Sequence, residues 1–202
     1  MTEQTTVART LHDAGLAAWF GGSLMGAVGL NGASQEVSDY RDRTRVANAG
    51  WGRWTPVNAL AILAHLVGAL QITRTNKSRL GAQRGVGTAT AVKLGLTTAA
   101  LGATAYSRVL GQKVMDAEAT EALQAAENGS GTASEGLPVE DATHPAPGTN
   151  GEVAKAQKQL NALQWAVPAL TGATLVVNAK MSEQQRLTQQ LKGIVGRVNP
   201  KK

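Results

Sequence analysis

Residues 51–73 read WGRWTPVNALAILAHLVGALQIT, and the twenty positions from Trp54 to Thr73 carry no formal charge. As an α-helix, this stretch would be roughly 30 Å long, which is the thickness of the hydrocarbon core of a bilayer. It therefore predicts a transmembrane helix.

Three more windows resemble it. Ala14–Gln35 and Gln159–Ala179 are uncharged, and Gly85–Ser107 is uncharged except for Lys93. In a chain with 17% charged residues, chance rarely produces four such windows. A charge at mid-bilayer costs about 2.5 to 3.5 kcal/mol, so insertion explains them. We expect an all-α protein, a four-helix transmembrane bundle.

A soluble helical bundle is the alternative. The mean hydropathy is only −0.15, and the windows are rich in Ala, Gly and Thr. A soluble amphipathic helix, however, carries a charged face, and these windows have none. This contrast favours the membrane.

Composition excludes several function classes. The chain has no cysteine and three histidines, which argues against disulfides, thiol chemistry and a His-rich metal site. It contains no GxxxxGK[ST], HExxH or GxSxG motif, so we expect no enzyme, no catalytic residues, no cofactor and no metal. With 3% aromatic residues and basic residues flanking apolar windows, the net charge of +6 points to lipid headgroups rather than nucleic acid.

Three segments follow from the windows. Residues 1–127 are predicted to form three transmembrane helices, the third continuing into water as a helix. Residues 128–151 are rich in Gly, Ser, Pro and acidic residues and predict a disordered linker. Residues 152–202 are predicted to form the fourth span and an amphipathic basic tail beginning at Ser182, which lies on an anionic leaflet or docks on a partner. Cleavage of the first window as a signal peptide is disfavoured by its poor cleavage context.

Glycines and tryptophans suggest packing and anchoring roles. Gly22 and Gly26 form a GxxxG pair, which lets helices approach closely, either within the chain or at another subunit. Trp51, Trp54 and Trp165 lie near window ends, where indole rings prefer the headgroup level, so we expect them to be interface anchors.

Two ionisable residues lie inside the windows. His65 is near the middle of the second, and Lys93 is about a third of the way along the third. Intramembrane ionisable groups suggest function. A neutral histidine bonded to a neighbouring helix and a lysine that snorkels to the headgroups are the simpler interpretations. In the functional interpretation, His65 and Lys93 line a polar path through the membrane, together with Asn58 or Gln71. His12 and His144 lie outside the windows, so we expect no second axial histidine for haem.

The polar connections carry the remaining charge. Residues 31–53 predict a solvated loop or short interfacial helix that starts with an Asn31-Gly32 turn, or an arginine site for phosphate or carboxylate. Residues 74–85 contain four basic residues and no acid, which is typical of a cytoplasmic loop. With four spans, eleven basic residues fall on the side of both termini and eight on the other. We therefore expect a multi-pass plasma-membrane protein with both termini in the cytoplasm.

The run RVANAGWGRWTPVN, residues 45–58, resembles small uncharacterised membrane proteins of actinobacteria. The resemblance implies a multi-span membrane protein and brings no activity or site residues. We expect a structural or interaction component that packs through Gly/Ala-rich helices, with homo-oligomers or other membrane subunits as partners. The alternative is a small transporter or channel with a His65/Lys93 polar path.

Overall fold

The computed structural model describes residues 3–75, 86–127, 139–141, 143–145 and 147–183. The chain is all-α, as predicted. Its elements in order are α1 (Glu3–Met25), a π-helical segment (Gly26–Leu30), α2 (Asn31–Gln35), α3 (Tyr40–Thr75), α4 (Val86–Glu127), the strands β1 (Val139–Asp141) and β2 (His144–Pro145), and α5 (Gly151–Glu183).

Two of the described helices, α3 and α5, are long and apolar enough to cross a membrane. They contain the Trp54–Thr73 and Gln159–Ala179 windows, and each continues through an internal proline, Pro56 or Pro168. A bundle with four spans stays a prediction.

The polar connection before α3 is more helical than predicted. The prediction of a turn at Asn31-Gly32 is wrong, because both residues lie in α2 and the Asn31 side chain is buried. Two backbone hydrogen bonds close the end of α2: Glu36 N donates to Ala33 O (3.3 Å), and Val37 N donates to Ser34 O (3.4 Å). The helix α3 then begins at Tyr40, sixteen residues before Pro56.

The described chain divides into two compact units, and each long helix contributes residues to both. The first unit holds residues 3–20, 59–75, 86–100 and 169–183. The second holds residues 21–58, 101–127, 139–141, 143–145 and 147–168.

In the first unit, α1 and α3 run antiparallel with their backbones in contact. A Cβ added at Gly15 would lie 2.6 Å from the amide nitrogen of His65, and one added at Gly68 would lie 2.6 Å from that of His12. Only glycine leaves room for this approach. Leu16 and Trp19 are fully buried in the same unit.

In the second unit, the two glycines of the GxxxG pair receive tryptophan rings. The Trp54 indole occupies the space that a side chain at Gly22 would need, and the Trp51 indole does the same at Gly26. The π-helical segment follows directly at Gly26. Because a π-turn is wider than an α-turn, it alters the phase of the helix there, and both Gly26 and Asn31 are buried.

The apolar core of the second unit joins α4 to α5. Leu110 and Val114 pack with Val153 and Ala156. Outside this core, the Lys113 ammonium lies 2.7 Å from the Glu152 carboxylate, and both side chains are exposed. The Asn150 side chain accepts a hydrogen bond from the Glu152 amide (2.9 Å), which caps the start of α5.

The interval predicted as a disordered linker contains a short hairpin. β1 and β2 pair antiparallel, with Val139 opposite Pro145. The ring of His144 also lies 2.8 Å from the Asn161 amide of α5. Residues 128–138, most of the basic loop at 74–85 and the tail at 184–202 lie outside the described residues. Ser182 lies within α5 and donates to the Asn178 carbonyl (3.0 Å), so it does not begin a separate helix.

Candidate functional site: a histidine pair joined to a lysine

The first unit contains a buried pair of histidines contributed by α1 and α3. The rings of His12 and His65 stack with their centroids 4.1 Å apart, and their residue exposures are 2% and 1%. His12 Nδ1 lies 3.1 Å from the His65 carbonyl oxygen, and His65 Nδ1 lies 3.0 Å from the His12 carbonyl oxygen. The contact is therefore reciprocal.

A repeated sequence pattern builds this reciprocity. Residues 8–15 read ARTLHDAG and residues 61–68 read AILAHLVG, so both helices carry A-x3-H-x2-G. The glycine of each copy faces the alanine and histidine of the other copy. Two antiparallel helices with the same local motif meet in a local two-fold arrangement, in which each histidine reaches the other's backbone.

The backbone contacts fix the protonation of both rings. A carbonyl oxygen can only accept a hydrogen bond, so each Nδ1 must be the donor. In its neutral form each histidine then carries its lone pair on Nε2. This assignment follows from the hydrogen-bond network.

Lys93, from α4, breaks the symmetry of the pair. Its Nζ lies 2.5 Å from His12 Nε2 and 2.8 Å from the side-chain oxygen of Asn178, on α5. The Asn178 amide in turn donates to the Asp13 carboxylate over 2.6 Å. A connected polar chain thus runs from the exposed Asp13 to the buried His12. We call Asp13, Asn178, Lys93, His12 and His65 the polar cluster.

The two predicted polar residues, His65 and Lys93, lie in this one cluster. His65 is a histidine hydrogen-bonded to a neighbouring helix, as the simpler interpretation has it. The Lys93 ammonium contacts two side chains of the first unit, those of His12 and Asn178. That it snorkels to the headgroups stays a prediction. Asn58 belongs to the second unit, and Gln71 is only partly buried.

Sequence reasoning placed His12 outside the uncharged windows and did not predict its contact with His65. The first uncharged window starts at Ala14, two residues after His12. The helix α1 begins earlier, at Glu3, and places His12 on the side that faces α3. Asp13 and Asn178 were also missed. The repeated A-x3-H-x2-G pattern is the sequence signal that identifies His12, whereas Asn178 has no comparable signal.

The pair does not fit ligation of a haem between its rings. The rings stack on each other, and the helix backbones touch at Gly15 and Gly68. This contact leaves no gap for a macrocycle. Among the described residues, no group of three or more His, Asp or Glu side chains is arranged to hold a metal ion.

The tryptophans differ in their surroundings. Trp51 donates from its indole nitrogen to the Asn31 side-chain oxygen (3.0 Å), and Trp54 packs on Gly22. Internal packing accounts for both rings. Trp165 is 52% exposed, and its role as an interface anchor stays a prediction.

The arginines of the connection have partners within the chain. Arg43 donates to the Val37 carbonyl over 2.9 Å, and Arg45 forms an exposed ion pair with Asp42. These bonds give both side chains partners within the chain, and neither requires a bound phosphate or carboxylate ligand.

Comparison with known proteins gives no assignment. The chain matches no protein-family model, no curated protein and no solved structure.

Proposed function

We propose that this protein is an integral membrane protein. The observation that carries the proposal is the exposed apolar surface of α3. Its most apolar window is only 17% buried, whereas the core helix of a soluble protein is mostly buried. Leu60 and Leu63 are 68% and 56% exposed, and Val57, Val67 and Leu70 are also exposed. Soluble monomers rarely expose an apolar patch of this extent.

We propose that the hydrocarbon chains of lipids cover this exposed surface of α3. The uncharged part of α3 has the length of a membrane span, and α5 adds a second apolar helix, of which 22% is buried. We extend the proposal to four spans in the plasma membrane with both termini in the cytoplasm.

Carbonate extraction tests integration into the membrane. We expect the expressed protein to stay in the membrane pellet at alkaline pH, because only apolar contacts hold it there. Recovery in the supernatant would contradict the proposal. Protease added to intact cells tests the orientation: cleavage near residue 140 should occur from outside, and cleavage only after lysis would overturn it.

The first proposed role is that of a structural or interaction component. The close approaches at Gly22 and Gly26 are used within the chain, so a partner would need other small residues. In α4, a Cβ added at Gly95, Gly102 or Gly111 would meet no atom of the described residues within 4 Å. In mild detergent we expect a defined oligomer or co-purifying subunits. A monodisperse monomer without partners would contradict this role.

The second proposed role is that of a small transporter or channel, and the polar cluster favours it. A histidine pair and a lysine within apolar helices are costly to bury. Such groups commonly line a path for a polar substrate or a proton. Flux through reconstituted vesicles tests this role, as described next.

A further inference from the structure

The polar cluster has the chemistry of a site for one mobile proton. Lys93 Nζ and His12 Nε2 lie within hydrogen-bond distance, and both atoms can hold a proton. Because His12 Nδ1 already donates to a carbonyl, only Nε2 is available to accept. One proton therefore lies between the two groups.

The proton can move between Lys93 Nζ and His12 Nε2 without a change in any other bond. In one state the Lys93 ammonium donates to the lone pair of neutral His12. In the other, the proton has moved to Nε2, which leaves a neutral amine on Lys93 and an imidazolium on His12. The total charge is the same in both states, and no bond other than N–H forms or breaks.

The surroundings set the direction of access. Asp13, on α1, is the carboxylate of the cluster and is exposed, while His12 is buried. Asn178 accepts a hydrogen bond from the Lys93 ammonium and donates one to the Asp13 carboxylate, so it orients Lys93 beside this carboxylate. The amide itself does not carry the proton, because its nitrogen can only donate. The titratable groups facing His12 are Asp13 on its own helix, His65 on α3 and Lys93 on α4. From α5 the cluster contains only the amide of Asn178.

Other ligands fit this arrangement less well. A metal cation would meet the Lys93 ammonium and only one carboxylate. An anion would have to displace Asn178 from Lys93 and would meet Asp13. A proton needs no displacement, because the donor and acceptor atoms are already paired.

We propose that the polar cluster binds and relays a single proton, which Lys93 takes up on the side of the exposed Asp13 and exchanges with His12, while Asn178 holds Lys93 in place. This proposal rests on the transporter role and names the proton as its substrate. His65 is a positioning residue: its Nδ1–H holds the His12 carbonyl, and its ring stacks on that of His12.

Nitrogen-15 NMR of the histidine rings tests the shared proton in the full chain in detergent or nanodiscs. His144, which lies outside the cluster and contacts Asn161, is the internal reference. We expect the His12 Nε2 signal to titrate together with the Lys93 amine. Lys93→Met should shift that signal and abolish the coupled titration, and Lys113→Met should not. A His12 spectrum unchanged by Lys93→Met would overturn the proposal.

Vesicles loaded with a pH-sensitive dye test the relay. A potassium gradient with valinomycin supplies the driving force, and circular dichroism confirms folding of each variant. We expect proton entry with the wild type and Lys113→Met, and the rate of empty vesicles with Lys93→Met and Asn178→Leu. Entry that persists in both cluster variants would overturn the relay. A coupled titration without any flux would retain the proton site and remove the transporter role.

Discussion

His12 and His65 each direct their ring Nδ1 to the backbone carbonyl of the other, over 3.1 and 3.0 Å. The reciprocal bond requires two helices whose backbones almost touch, and Gly15 and Gly68 provide that approach. Two copies of one short pattern thus produce both the close packing and the buried polar site. Packing and chemistry in the first unit therefore depend on the same residues.

The two glycines at the histidine pair should tolerate no side chain. Gly15→Ala or Gly68→Ala places a methyl group against the backbone of the facing helix, so we expect a loss of about 1–3 kcal/mol of stability. Unfolding in mixed micelles, followed by circular dichroism, measures it. The matched control is Gly95→Ala, where the added Cβ meets nothing within 4 Å in the part of the chain that the structure describes. Equal stability of all three variants would contradict the packing.

Asn31 should be a polar link in the second unit. Its side chain accepts from Trp51 and donates to Gln164 over 2.8 Å, and the residue is buried. Asn31→Leu removes both bonds and leaves a partly buried indole N–H and a partly buried amide oxygen without these partners, which should cost about 1–3 kcal/mol. The comparison is Asn58→Leu, because Asn58 Oδ1 is buried with no hydrogen-bond partner in the described part of the chain. A larger loss at Asn58 than at Asn31 would refute this account.

Gln157 offers a stabilising substitution. It is fully buried, and within the described residues neither side-chain oxygen nor nitrogen has a hydrogen-bond partner. Gln157→Met keeps the length of the side chain and removes the unpaired polar atoms, so we expect a gain of about 1–3 kcal/mol. The midpoint of thermal unfolding reports it. Gln124→Met, at an exposed position of α4, should leave the midpoint unchanged. A destabilised Gln157→Met protein would show that the amide has a partner or a role.

Lipid quenchers should reduce the fluorescence of Trp165 more than that of Trp19. Trp165 is half exposed, and Trp19 is fully buried. In vesicles with brominated lipids, a variant that retains only Trp165 should be strongly quenched, because its ring reaches lipid. A variant that retains only Trp19 should be protected. Equal quenching of the two variants would contradict the assignment of Trp165 as an interface anchor.

Helix type and approximate extent were predictable from sequence because they depend on local composition. The α3 and α5 windows, the continuation of α4 to Glu127 and the start of α5 near Glu152 follow from uncharged runs and helix-forming residues. The GxxxG pair likewise indicated a close approach at Gly22 and Gly26.

The side chains that pack on Gly22 and Gly26, and the composition of the polar cluster, were not predictable from local sequence. That indole rings rather than a helix backbone fill the spaces beside Gly22 and Gly26 depends on the register of α1 against α3. The contacts of Lys93 with His12 and Asn178 involve residues more than eighty positions apart, and no local pattern encodes them. His12 was missed because counting charges treats a helix end as water-exposed, whereas burial depends on which face of α1 meets α3.

The central claim is that lipid covers the exposed face of α3. Because the chain has no cysteine, single cysteines at Leu60, Leu63 and Leu70 can carry spin labels without background. In vesicles, the account predicts strong relaxation by oxygen and little by a water-soluble nickel complex at these three sites, with the reverse at Lys155, an exposed position outside the uncharged window. Strong relaxation by nickel at Leu60, Leu63 and Leu70 would contradict the claim.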